Sequence, residues 1–177
     1  SVGGFETCIQ IPSWKLAFDI GRCPPSARSL SRVLFTHAHC DHMGGVINHT
    51  AMRDLLNMSP PEYWVPAQNE ADFRQLFEVW RRLDKSELPC VIRGVVPGEC
   101  IEVAQRRCVR VFRSFHRVPC LGYALCSWKE KLKPEYRSLA PAELRSMRAQ
   151  GVELTDRHEQ PEVAFCGDSA IQVVDNE

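Results

Sequence analysis

Thr36-His37-Ala38-His39-Cys40-Asp41-His42-Met43-Gly44-Gly45 places three imidazoles and a carboxylate between positions 37 and 42, directly after the apolar run Val33-Leu34-Phe35. A strand that opens into a loop here projects His37 and His39 to the same side, because side chains alternate with period two. Asp41 and His42 follow on the turn, close enough to serve a second centre. Neutral imidazole and carboxylate together suit zinc, manganese or iron rather than calcium. The plain alternative is a polar loop that happens to be rich in histidine, and four ligand-type residues at this spacing before a Gly-Gly argue against it. The stretch reads as a metal site. Cys40 reads as a spacer pointing away from it.

Downstream, Val46, Ile47, Met52, Leu55 and Leu56 recur at helical spacing up to Pro60-Pro61, so a helix should start near Gly45. Its positive N-terminal end would lie beside the metal loop and favour anionic oxygens. Tyr63-Trp64-Val65 reads as a strand. From Ala67 to Leu83, Phe73, Leu76, Phe77, Trp80 and Leu83 form the stripe of an amphipathic helix, with Trp80 read as core rather than as a base-stacking residue. Strands are expected at Val91 to Val96 and Ile101 to Val103. Upstream, Glu6 to Ile11 and Lys15 to Ile20 read as two strands around a turn at Pro12-Ser13, and Arg22 to Ser31 as loop.

Arg106 to Arg117 holds Arg106, Arg107, Arg110, Arg113 and Arg117 and no acid. Clustered arginines capture phosphates through planar donor forks and counterion release. They equally suit a solvated strand edge whose charges deter edge pairing, and the stretch ends at His116. Residues 129–151 read as a basic, helix-forming insertion carrying Lys129, Lys131, Lys133 and Arg137, with Pro141 in a first turn and Gly151 as C-cap. Thr155 to Gln160 reads as polar loop, with His158 exposed. Glu162 to Ser169 reads as a buried strand ending in Gly167-Asp168.

The chain of 177 residues is long enough for one domain with a respectable core. No repeat or linker divides it, so residues 1–177 read as a single domain. Lys plus Arg balances Asp plus Glu at 22 each, so net charge alone does not announce a nucleic-acid binder. Nine cysteines, scattered and odd in number, do not look like a disulfide framework, and they suit a reducing cytoplasm. No apolar run approaches the length that crosses a bilayer.

The His-x-His-x-Asp-His pattern resembles the signature of the metallo-β-lactamase superfamily. Residues along nearly the whole chain are similar to the short, plant-type ribonuclease Z family: Gly3-Gly4-Phe5-Glu6-Thr7-Cys8, Ala17 to Pro24, Leu76 to Val79, Leu83 to Leu88, Phe115-His116, Gly122-Tyr123, Gly151 to Asp156 and Gly167-Asp168-Ser169. The resemblance implies a mixed α/β (α+β) chain with the metallo-β-lactamase αββα sandwich, truncated in its C-terminal part. It implies a cytoplasmic, zinc-dependent endoribonuclease that trims the 3′ trailer from precursor tRNA, working as a homodimer without a membrane. Two zinc ions are expected, with manganese or iron as substitutes. The implied ligands are His37, His39 and His116 for one ion, Asp41 and His42 for the other, and Asp168 as the bridge. Asp41 would also act as general base. On residues alone, a lone histidine such as His116 is more often a satisfied polar group than a ligand. Asp19 is implied to support the metal loop by hydrogen bonding, although a turn aspartate before Gly21 reads the same way. Arg106, Arg107, Arg110, Arg113, Arg117, Lys129, Lys131 and Lys133 are the expected RNA contacts. The alternatives are another hydrolase of this fold, acting on a small phosphodiester, thioester or sulfate ester, or a non-catalytic metal- or RNA-binding relative. The family's last metal histidine and a further catalytic histidine lie beyond the Gly-Asp element, where this chain runs from Ser169 to Glu177 without a histidine. The expectation is therefore one firmly held metal, a second held loosely, and little nuclease activity from this chain alone.

Overall fold

A computed structural model describes residues 1–175; Asn176 and Glu177, part of the tail read above as lacking a histidine, lie outside the described residues. Contacts divide the chain into two compact units. The first contains Ser1–Glu99, Val111–Tyr123 and the chain from Phe165 onward; the second contains Cys100–Arg110 and Ala124–Ala164.

The first unit is built on a five-stranded sheet in chain order: β1 (Ile9–Ile11), β2 (Leu16–Phe18), β3 (Arg32–Leu34), β4 (Glu62–Pro66) and β5 (Val91–Val95). β1 and β2 pair antiparallel around a turn at Pro12–Trp14, and the remaining neighbours pair parallel. Parallel strands need crossovers: the segment with the 3-10 turn Pro25–Ser29 joins β2 to β3, α1 (Cys40–Met43) and α2 (Val46–Leu55) join β3 to β4, and α3 (Glu70–Asp84) joins β4 to β5. The central strands are buried nearly throughout, which is why they read as continuous apolar runs rather than alternating ones.

Phe35, Tyr63, Phe73 and Phe77 form the heart of the core, with ring centroids 5.3 to 6.0 Å apart. The hydroxyl of Tyr63, the polar atom among these rings, is partnered: Oη lies 2.7 Å from Thr50 Oγ1 and 2.8 Å from His49 Nδ1. Arg53 is buried as well, and its guanidinium donates to the carbonyls of Arg28, Leu30 and Ser59 at 2.8 to 3.2 Å. A buried cation without such acceptors would be costly; here it fastens the last turn of α2 to the loops beside it.

The second unit carries β6 (Cys100–Ala104), the start of β7 (Arg107–Arg113), most of β8 (Leu121–Leu132), α4 (Pro141–Ala149) and nearly all of β9 (Thr155–Phe165). These strands form a sheet in the order β6-β7-β8-β9, with β6 and β7 antiparallel.

Several local expectations change. The metal loop contains the short helix α1, because Met43 and Gly44 donate their backbone N–H groups to His39 and Cys40. Lys129 and Lys131 lie on β8, so the helix of the basic segment begins only at Pro141. Thr155 to Gln160, expected as loop, is strand. Its alternation was invisible because β9 is an edge strand, exposed over most of its length and tolerant of Pro161. The segment Glu162 to Phe165, expected to be buried, is exposed up to Ala164, while Phe165 stacks on Phe18 at 5.2 Å. The stripe of α3 is core only at its start: Phe73 and Phe77 are buried, whereas Trp80 is 43% and Leu83 71% exposed.

This gradient along α3 gives a test. Phe77→Ala should cost about 3–5 kcal/mol in urea unfolding with the m-value unchanged. Trp80→Ala should cost less than half as much, and equal losses would contradict the packing described.

Candidate metal centre

The centre is assembled around one carboxylate. Asp19 follows β2 in a left-handed conformation (φ 58°) and is fully buried. Thr36 donates its backbone N–H to Oδ1 and its hydroxyl to Oδ2, each at 2.8 Å, and His42 Nδ1 donates to Oδ2 at 2.8 Å. The hydroxyl proton of Thr36 is thereby used, so Thr36 Oγ1 accepts from His37 Nδ1 at 3.0 Å. These bonds fix the tautomers: in both His37 and His42 the bare lone pair is on Nε2.

Backbone bonds seat the loop. Thr7 N donates to Asp41 O at 2.7 Å, Ile20 N to His42 O at 2.6 Å, and Gly21 N to Thr7 O at 2.9 Å. Gly21 is required by this close approach, since a Cβ there would collide with the Asp41 carbonyl. On the other side, Leu121 N donates to Thr36 O at 2.9 Å and Tyr123 Oη to Phe35 O at 2.8 Å.

His116 and Asp168 arrive on two segments tied together. Ser114 Oγ donates to Cys166 O at 2.7 Å, Phe115 N to Ser169 Oγ at 3.2 Å, and Ala170 N to Phe115 O at 2.8 Å. Between them Gly167 takes φ 62° with its α-carbon against Thr36, where a side chain would clash with that residue. That turn swings Asp168 beside His42.

The result is two overlapping donor groups. His37 Nε2 lies 3.0 Å and His116 Nε2 3.3 Å from His39 Nδ1, and these three histidines form one group able to hold a metal ion. His37, His42 and Asp168 form the other. His42 Nε2 is 3.5 Å from Asp168 Oδ1 and 3.6 Å from Asp41 Oδ2. It is buried without a hydrogen-bond partner, a position that a cation would satisfy. The six candidates His37, His39, Asp41, His42, His116 and Asp168 are thus brought together, while Cys40 is exposed and outside the group.

The electrostatics match. Burial, reinforced by the neighbouring imidazoles, lowers the His37 pKa to about 4, which keeps it in the neutral, metal-binding form. His39 is lowered too, by burial and then by the Arg117 guanidinium. Burial acts to lower His42 as well, but its hydrogen bond to Asp19 and the carboxylates of Asp19, Asp168 and Asp41 outweigh it. Burial also raises Asp19. In the metal-free site the raised His42 favours a proton on Nε2, which an ion bound there would displace.

Arg113, Phe115, His116, Arg117 and Asp168 line an open cleft of about 740 Å³. Arg117 Nη2 stands 3.4 Å from His39 Nε2, and the Arg113 guanidinium lies 5.0 Å from the Phe115 ring centre. The other expected RNA contacts, Arg106, Arg107, Arg110, Lys129, Lys131 and Lys133, belong to the second unit. There Arg110 is committed to both carboxylate oxygens of Glu159, and Arg106 lies 3.4 Å from Glu130. Thr36 was missed as a working residue; its one signal was a hydroxyl set between a buried strand and the first histidine.

No family model matches the chain. Among solved structures it resembles the metallo-β-lactamase fold protein YhfI of Bacillus subtilis, with a TM-score of 0.54 and 15% identity over 70% of this chain and 54% of that one. Its fold is therefore that of the metallo-β-lactamases, into which a histidine–aspartate cluster beside a parallel sheet fits. Among curated proteins it is 43% identical over its whole length to a tRNase Z of Arabidopsis thaliana, of which it covers 63%. It is 39% identical to the nuclear ribonuclease Z of Triticum aestivum, over 88% of this chain and 89% of that protein. The chain belongs to the ribonuclease Z family. It spans 63% and 48% of the lengths of two Arabidopsis relatives, the second a chloroplastic tRNase Z.

Asp19→Ala should destabilise the fold by about 3–5 kcal/mol, because His42 loses its buried partner and Thr36 two acceptors. Asp19→Asn retains an acceptor for the Thr36 N–H and should cost less. Chemical denaturation of both variants checks this ordering.

Proposed function

We propose that this chain carries the metal centre of a zinc-dependent endoribonuclease that removes the 3′ trailer from precursor tRNA. The observation that carries the reading is the buried, unpartnered Nε2 of His42 facing Asp41 and Asp168 beside the three converging imidazoles, in a member of the ribonuclease Z family. In this proposal His37, His39 and His116 hold one ion, Asp41 and His42 a second, and Asp168 both, with manganese or iron as possible substitutes. A divalent pair, when bound, would supply an activated water and offset the charge that builds on the transferring phosphate.

The chain's own residues would do the rest. Asp41 accepts the proton of the attacking water as general base. Asp19 and Thr36 hold the imidazoles in one tautomer and orientation. Arg113 and Arg117, at the cleft, orient phosphate oxygens through their donor forks. Lys129, Lys131 and Lys133 extend the RNA contact by charge alone. A homodimer is part of the reading, supported by the exposed apolar side chains Leu55, Leu56, Trp80 and Leu83, and sedimentation would test it. A cytoplasmic location is proposed on the scattered, odd-numbered cysteines, and fractionation would test that. Among the described residues no helix is long and apolar enough to cross a membrane.

His39→Ala and Asp168→Ala should each abolish stoichiometric zinc uptake in elemental analysis, and unchanged uptake in both would end the ligand assignment. Chelation should remove whatever hydrolysis of precursor tRNA and of bis-p-nitrophenyl phosphate this chain supports. Turnover of the small diester without any action on the tRNA would favour another hydrolase of the same fold.

Affinity for precursor tRNA should fall steeply as salt rises. Neutralising Lys129, Lys131 and Lys133 should flatten the slope of log affinity against log salt by about 2–3 if all three contact phosphates. Hydrolysis of the small diester should be unchanged in that variant. An unaltered slope would return these lysines to a purely structural role.

A further inference from the structure

The second unit holds a set of donors that the ribonuclease Z reading leaves unused. The sulfurs of Cys100 and Cys108 and a carboxylate oxygen of Glu159 all lie within 4.8 Å of one another. Strand register explains the meeting. Across the β6–β7 pair, Cys100 faces Arg110 and Glu102 faces Cys108. Residues two apart on a strand share a face, so Cys100, Cys108 and Arg110 stand on the same side. Cys126 of β8 adds a buried thiol beside Glu159 of β9. The donors of β6, β7 and β9 therefore meet within 4.8 Å of one another, and the Cys126 thiol of β8 stands beside Glu159 at the edge of the group.

We propose that Cys100, Cys108, Cys126 and Glu159 form a second metal site, for a thiophilic divalent cation of the zinc–cadmium class, independent of the histidine centre. Three sulfurs and one carboxylate make a four-donor set that suits zinc or cadmium and disfavours magnesium or calcium. At zinc–sulfur distances of about 2.3 Å, tetrahedral donors stand about 3.8 Å apart, so Cys100, Cys108 and Glu159, already within 4.8 Å, close on an ion by small side-chain rotations, and Cys126 turns in beside Glu159 as the fourth donor. Glu159 is held ready. Arg110 donates through Nε and Nη2 to its two oxygens, holding its pKa below the usual carboxylate range. Each oxygen keeps a further lone pair, and a ligating carboxylate is commonly held from behind in this way. Cys108 and Cys126 are buried, and Cys100 is exposed, which opens a route of entry.

Without metal the Cys108 and Cys126 thiols are protonated, since burial pushes both up to about 12. Binding breaks three S–H bonds, forms three sulfur–metal bonds and releases three protons to solvent, with no change of oxidation state. Three thiolates, one carboxylate, one divalent ion and the Arg110 guanidinium leave a single net negative charge.

The experiment is a cadmium titration of the reduced 177-residue chain, followed by thiolate-to-cadmium charge-transfer absorbance. One saturable equivalent is expected, displaced by zinc and retained in the His37→Ala variant, whose histidine centre is disabled. Cys100→Ser, at the exposed position, should weaken binding at least about tenfold. Cys126→Ser should do the same and remove one thiolate's share of the band. Cys90→Ser, outside the cluster, should change nothing. Absence of a saturable band in the reduced chain would overturn the proposal, as would a band unaltered by both Cys100→Ser and Cys126→Ser.

Discussion

The first unit is organised by a buried aspartate whose oxygens accept three hydrogen bonds. Asp19 sits at the end of β2, Thr36 just beyond β3, and His42 on α1, so one carboxylate joins two neighbouring parallel strands and the short helix that follows them. A charge so deeply buried is tolerable only because every bond it accepts is short and one comes from an imidazole that shares its proton. The same bonds decide which nitrogen of His37 and of His42 faces the cluster. Folding and the chemistry of the site thus rest on the same few contacts, and a sequence change at Thr36 would be felt in both.

Metal-binding capacity was legible because it depends on local spacing. His37 and His39 alternate off a buried strand, and Asp41 and His42 turn back towards them, all within one segment. His116 and Asp168 were not legible in this way. Each is an ordinary residue in its own neighbourhood, and only the resemblance to a known family singled them out. What brings them in is a set of long-range bonds, Ser114 to Cys166 and Phe115 to Ser169, together with the left-handed turn at Gly167. Tertiary contacts of that kind leave no periodic trace.

The misreadings have a common cause. Periodicity reports which face of an element is buried, so it fails where burial is one-sided or absent. β9 is a polar strand at a sheet edge, and its residues earn their place through partners such as Arg110 and Trp128 rather than through a hydrophobic alternation. The stripe of α3 is regular to Leu83, yet the core beneath it ends near Phe77, leaving Trp80 and Leu83 half or more exposed. Arg106 to Arg117 looked like a single basic patch. The structure divides it: Arg110 and Arg106 face acids of their own unit, whereas Arg113 and Arg117 line the cleft beside the histidines.

That division bears on how the second unit is held together. Its sheet exposes much of β6 and β9 and buries few large apolar side chains: Ile101, Val109, Leu125 and Leu154 are the substantial ones among the described residues. Small layers of this kind gain comparatively little from hydrophobic burial and lean on cross-strand pairs or on a staple. Arg110 with Glu159 links β7 to β9 past the intervening β8, and Arg157 lies over the Trp128 ring at 4.3 Å. Both are polar ties across strands with little apolar support. Cys100, Cys108 and Cys126 lie in this same region, one on each of the remaining strands. In an apolar core they would be three small hydrophobes with no further claim on attention; beside an ionised carboxylate held in an arginine fork, they place soft donors where the sheet has the least packing to hold it.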